Sequence, residues 1–132
     1  MTEKILTVHV ALDECLELEG EKHSVRMITF SGTADGPYFS GKILPGGVDT
    51  QKGIAGEKPI LSARYMLEGT DDTGHSCRIF IENNGAEDAD GVIRTVPVIA
   101  TDSRSLLWME NACLEGTVEP AETGVEIHIF RK

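Results

Sequence analysis

Apolar and polar residues alternate along this chain with a period of two, the pattern of strands that bury one face. Leu6, Val8, Val10 and Leu12 set the first strand over 6–12. Leu16 and Leu18 sit among Glu14, Glu17, Glu19 and Glu21 before Gly20, which reads as strand and then turn rather than helix. A second strand spans 24–33, with Met27, Thr29 and Ser31 on one face and Ile28 and Phe30 on the other. Gly32, Gly36 and Gly41 then punctuate the short apolar pairs Tyr38-Phe39 and Ile43-Leu44, and glycines so placed mark bends or close backbone contacts. Pro45-Gly46-Gly47 closes that strand as a shaped corner, and the polar run 51–58 predicts an exposed loop.

The clearest hairpin follows. Leu61, Ala63, Tyr65 and Leu67 alternate with Ser62, Arg64, Met66 and Glu68, then the turn 70–74 leads into Cys77, Ile79 and Ile81. A strand over 92–100 contains Pro97, which suggests an edge position or a bulge. The run 106–119 has apolar residues at helical as well as strand spacings. The turn 120–124 and return strand 125–130 favour a final hairpin, which would set Trp108 and Glu110 on one strand face; a short helical turn at 102–105 is compatible with this. Eight to ten short strands without a long helix predict an all-β fold, a single antiparallel barrel or sandwich in one domain over 1–132.

Composition narrows the functional classes. With 132 residues the chain falls in the commonest range for one domain and can bury a core without staples. A net charge of −10 repels phosphate backbones and argues against nucleic acid or an anionic membrane as partner, though its commonest role is solubility. Three cysteines without CxxC or Cys/His spacing argue against a disulfide framework or zinc site, and each is expected to be a buried thiol. The N-terminal stretch lacks the basic start and apolar core of a signal peptide, so a cytoplasmic location is the expectation. His9, His23, His75 and His128 form no metal-binding spacing, and Gly46-Gly47 lacks the Lys-Ser/Thr of a phosphate loop. Neither a metal nor a cofactor is expected.

Gly36-Pro37, Gly41, Leu44-Pro45-Gly46-Gly47 with Asp49, Ala63-Arg64-Tyr65, the Thr70-Asp71-Asp72 turn, Asn83 and Gly85 together resemble domain-of-unknown-function family 3237, also called uncharacterised protein family 0311. Arg94-Thr95 with Pro97, and Trp108 with Asn111, extend the resemblance toward the C-terminus. It implies a small lipocalin-like or cyclase-like barrel with an interior cavity and no established activity. Thr50 stands where that family commonly has an aromatic.

Candidate chemistry centres on charged and polar residues set in strands. Asp49, two residues past the Pro-Gly-Gly bend, could point into a barrel mouth as acceptor or general base, or cap the turn. Arg64 and Tyr65 must face opposite sides of their strand; Arg64 inside would need a carboxylate such as Glu82, and outside would form a surface ion pair. Glu110 beside Trp108 could have the raised pKa of a general acid if both faced an apolar cavity. One reading is a module that binds a small, partly apolar organic molecule through Asp49, Arg64, Tyr65, Glu82, Asn83, Arg94, Trp108 and Asn111. A second is a cofactor-free isomerase, cyclase or lyase with Asp49 or Glu110 as acid/base. A third is a structural role in a homo-oligomer through the outer apolar faces.

Overall fold

A computed structural model describes residues 2–132. Nine strands, β1 (Glu3–Glu19), β2 (His23–Asp35), β3 (Phe39–Ile43), β4 (Val48–Ile54), β5 (Ile60–Asp71), β6 (Ser76–Glu87), β7 (Ile93–Thr101), β8 (Leu114–Pro120) and β9 (Gly124–Arg131), pair antiparallel throughout. Because β1 bonds both β2 and β9, the sheet closes into a barrel of 8 staves. Closure removes the open edges that an antiparallel sheet would otherwise expose.

Two strands share one stave. β3 and β4 both lie between β2 and β5, joined by the corner that contains Pro45-Gly46-Gly47. Gly46 takes φ +111°, a conformation open chiefly to glycine. Gly47 is buried where an added Cβ would stand 3.2 Å from the Phe30 ring and 3.3 Å from Tyr65 Cβ. The corner therefore turns the chain and lets the interior aromatics close over it. The run 51–58, expected as loop, continues β4 to Ile54, because Gln51 and Lys52 find strand partners in β2 and β5.

The interior follows the predicted alternation. Leu6, Val8 and Val10, then Tyr65 and Leu67, Cys77, Ile79 and Ile81, and Ile127 and Ile129 are buried in one continuous core. An irregularity between Lys4 and Leu6 lets both Ile5 and Leu6 turn inward. Cys77 behaves as the expected buried thiol, whereas Cys15 and Cys113 are exposed. Cys15 lies beyond Ala11, where β1 leaves β9 and continues with β2 alone as an overhanging ribbon, and Cys113 precedes β8.

One element departs from expectation. Residues Arg104–Glu110 form a 3₁₀ helix rather than strand, longer than the turn foreseen at 102–105. Its Leu106 and Met109 are buried and plug the barrel end at which β1 starts and β5 finishes. Pro97 accounts for the end of the β7–β8 pairing at Thr95, two residues before the proline, while β7 stays paired with β6 to Thr101 before the helix begins. Trp108 packs edge-on against Tyr38 with ring centroids 5.1 Å apart, and the Arg131 guanidinium lies 4.4 Å over the indole. Tyr38 Oη donates to Glu3 at 2.6 Å, and Arg131 bonds the same carboxylate. This network ties β1, β9, the 3₁₀ helix and the approach to β3 together.

Candidate functional site

The opposite end of the barrel holds a cavity. Above the Phe30–Tyr65 pair, whose rings meet edge-on at 5.4 Å, lies a cavity of about 120 Å3 walled by Val10, Ile28, Phe30, Leu61, Ala63, Ile93, Val118, Val125 and Ile127. Four polar side chains enter this apolar wall: Asp49, Gln51, Asn83 and Thr95. Register explains their placement. Asp49 opposes Ala63, and Ala63 opposes Asn83, so all three project from the same face at one level; Gln51, Leu61 and Thr95 occupy the next level out.

Gln51 Nε2 donates to Asp49 Oδ2 at 3.0 Å, which fixes the amide against the carboxylate. Asn83 and Thr95 are only 3% and 4% exposed, yet Asn83 Oδ1 and Thr95 Oγ1 have no hydrogen-bond partner among the described residues. Tyr65 Oη, one level deeper, is likewise buried and unpartnered, and burial pushes its phenol pKa up. Buried polar atoms are nearly always paired, so these oxygens call for a partner such as water, an ion or a bound molecule. Gly116 preserves the space: a Cβ there would fall 2.2 Å from Thr95 Oγ1 and 3.5 Å from Asn83 Oδ1.

The candidate residues thus separate into three groups. Asp49 and Asn83 meet at the cavity, with Tyr65 beneath them. Arg64, Glu82 and Arg94 face outward. Arg64 Nε stands 3.5 Å from Glu82 as a surface ion pair, and Arg94 bonds Asp88 at 2.8 Å and Glu115 at 3.2 Å. The Arg94 bond, with the Val92 and Asp90 N–H groups, holds the Asp88 carboxyl below its usual range, Arg94 being the largest cause. Trp108, Glu110 and Asn111 lie at the plugged end, and Glu110 is exposed and accepts the Thr101 N–H at 2.9 Å. The apolar cavity imagined around Glu110 is absent there because its segment is helical, not strand. Gln51 and Thr95 escaped sequence reading; the signal that could have found them is their inward phase with Asp49 and Asn83.

A second acidic cluster sits at the plugged end. Asp71, 8% exposed, accepts bonds from Thr73 N and Oγ1, His75 N and Ser103 Oγ. These hold its pKa far below the ordinary carboxylate value, the Thr73 and Ser103 hydroxyls being the largest causes. Its bonds join the β5–β6 turn to the start of the 3₁₀ helix, a structural task.

An eight-stave antiparallel barrel, plugged at one end by a short helix and holding a small, mostly apolar cavity toward the other, is the class of protein that the fold and the cavity define. The chain belongs to the family described as Protein of unknown function (DUF3237), which matches residues 2–92. A UPF0311 protein of Clostridium acetobutylicum is 34% identical over 100 residues, which are 72% of this chain and 55% of that protein; the match thus spans little more than half of the relative's length. A crystal structure of a protein with unknown function from Clostridium acetobutylicum superimposes with TM-score 0.83 at 27% identity, over 99% of this chain and 98% of that one. A beta-barrel like protein from Acinetobacter baumannii gives TM-score 0.81 at 20% identity over 99% and 94% of the two chains. An enzyme from Penicillium herquei gives 0.78 at 16% identity over 100% and 94%, a likeness of fold. Among the described residues no helix is long and apolar enough to cross a membrane.

Proposed function

We propose that the barrel binds a small, partly apolar organic molecule in the interior cavity beside Asp49, Gln51, Asn83 and Thr95. The observation that carries this reading is the pair of unpartnered buried oxygens, Asn83 Oδ1 and Thr95 Oγ1, facing an otherwise apolar wall. An apolar pocket with a few convergent polar groups is the usual build of a small-molecule site. At about 120 Å3 the cavity is below the common range for drug-sized ligands, and close to a roughly 150 Å3 protein cavity that accommodates benzene. A molecule of about one ring is the matching size.

The test is a fragment screen by amide chemical-shift mapping on the labelled protein. Hits should shift the amides of Asn83, Thr95 and Ala63, and Ala63→Leu, which enlarges a wall residue, should abolish them while the protein stays folded. Hits that map instead to the outer strands, or that survive Ala63→Leu, would remove this reading. A catalytic version is favoured by one observation: Asp49 is the sole carboxylate in the cavity wall and is held by Gln51. It would act there as general base on the bound molecule.

A further inference from the structure

We infer that the cavity selects a one-ring molecule that brings hydrogen-bond donors and carries no negative charge; this rests on the interior-binding reading above. The polar atoms waiting in the wall are acceptors or can act as such. Asp49 is the one charged side chain lining the cavity, and no Lys, Arg or His lines it. Asn83 Oδ1 and Thr95 Oγ1 both flank Gly116, 3.5 Å and 2.2 Å from where its Cβ would stand, so the two unpartnered oxygens are neighbours in the wall. Each buried oxygen left unmatched retains its desolvation cost, and a ligand O–H or N–H removes that cost.

A recess that shares Gln51 with the cavity carries the same sign. Gln51 also borders an outer recess of about 200 Å3 lined by Glu17, Glu19, Glu57 and Arg26. Arg26 is already engaged by Glu17 at 3.2 Å, so among the described residues the recess has no free cation to offer an anion. A register shift between Leu12 and Cys15 in β1 builds this arrangement: past it, Glu17 rather than Leu16 opposes Arg26. An anion in either place meets a carboxylate: Glu17, Glu19 and Glu57 in the exposed recess, and Asp49 in the cavity, where screening is weaker and the repulsion stronger.

Four probes of one ring and different head groups test the inference by titration at neutral pH: methylcyclohexane, cyclohexanol, cyclohexylammonium and cyclohexanecarboxylate. The alcohol and the ammonium should each bind about tenfold more tightly than the methyl compound, the return expected for a matched hydrogen bond. The carboxylate should not bind, and Asp49→Asn should reduce the preference of ammonium over carboxylate. Equal affinity of alcohol and methyl probes, or binding of the carboxylate as tight as that of the alcohol, overturns the inference and leaves interior binding standing. If no probe, including methylcyclohexane, shifts the amides around Ala63, interior binding itself fails and the inference falls with it.

Discussion

The Thr95 hydroxyl occupies space that the missing side chain of Gly116 provides: a Cβ on Gly116 would stand 2.2 Å from Thr95 Oγ1. Because Thr95 is buried and β-branched, its hydroxyl has few other rotamers to retreat to. Gly116→Ala should therefore destabilise the barrel by about 1–3 kcal/mol, the usual cost of overpacking a core. Thr95→Ala removes the obstructing oxygen, so the double variant should lose less than the sum of the two single losses. Urea unfolding of the four proteins measures the coupling. Simple additivity would mean that the two residues do not share this space.

How much of this was legible beforehand differs between the two ends of the barrel. The period-two alternation in 60–69 and 75–83 reported the hairpin and the inward phase of Tyr65 and Ile81, because burial of one sheet face dictates it locally. Asp49 and Asn83 could be nominated individually. Their meeting with Thr95 depends on register across β4 to β7, a long-range property that no short window contains. At the plugged end, Leu106 and Met109 are spaced as a helix turn or as part of an irregular strand, and the deciding fact is the end of β7–β8 pairing at Thr95. Trp108 and Glu110 were consequently assigned a strand face, although they lie on a helix far from the cavity.

Tyr65 should set an alkaline limit. Burial raises its phenol pKa, so the folded protein keeps the proton where the unfolded chain releases it. That contribution is complete below the unfolded value of about 10 and is lost as pH rises above it. Tyr38 acts in the same window, its pKa raised chiefly by the hydrogen bond to Glu3. Tyr65→Phe should flatten part of the fall in melting temperature above about pH 10, and Tyr38→Phe a separate part. At neutral pH Tyr65→Phe should leave stability unchanged or raise it, since the hydroxyl it deletes is buried without a partner.

Asp71 governs the opposite limit. Its folded pKa is depressed, so between that value and the unfolded one of about 3.9 the unfolded chain binds more protons. Its stabilising contribution is thus present above the unfolded pKa and fades as pH falls toward the folded one. Glu3, Asp88 and Glu115 have lowered pKa values too, so one substitution reduces the acid slope without abolishing it. Asp71→Asn should lower the melting temperature at pH 7 and narrow the gap to the parent protein as pH drops below about 4. A constant gap across that range would show that the Asp71 charge is not what its four donors stabilise.

Trp108 is the single tryptophan of the chain, which makes it an optical reporter on the plugged end alone. Its ring meets Tyr38 and Arg131, both far along the barrel from Asp49 and Thr95. Arg131→Met keeps an apolar arm over the indole but removes the cation and its bond to Glu3. Half-exposed pairs of this kind contribute about 1 kcal/mol, so the loss in stability should be of that order, accompanied by a change in Trp108 emission. A ligand held at the cavity should raise the melting temperature through preferential binding to the folded state. It should leave the emission of the native protein nearly unchanged, because the core between Phe30 and Leu106 separates the two ends. Emission that tracks ligand concentration in the folded protein would place binding at Trp108 instead, and would transfer the search for a site to the 3₁₀ helix.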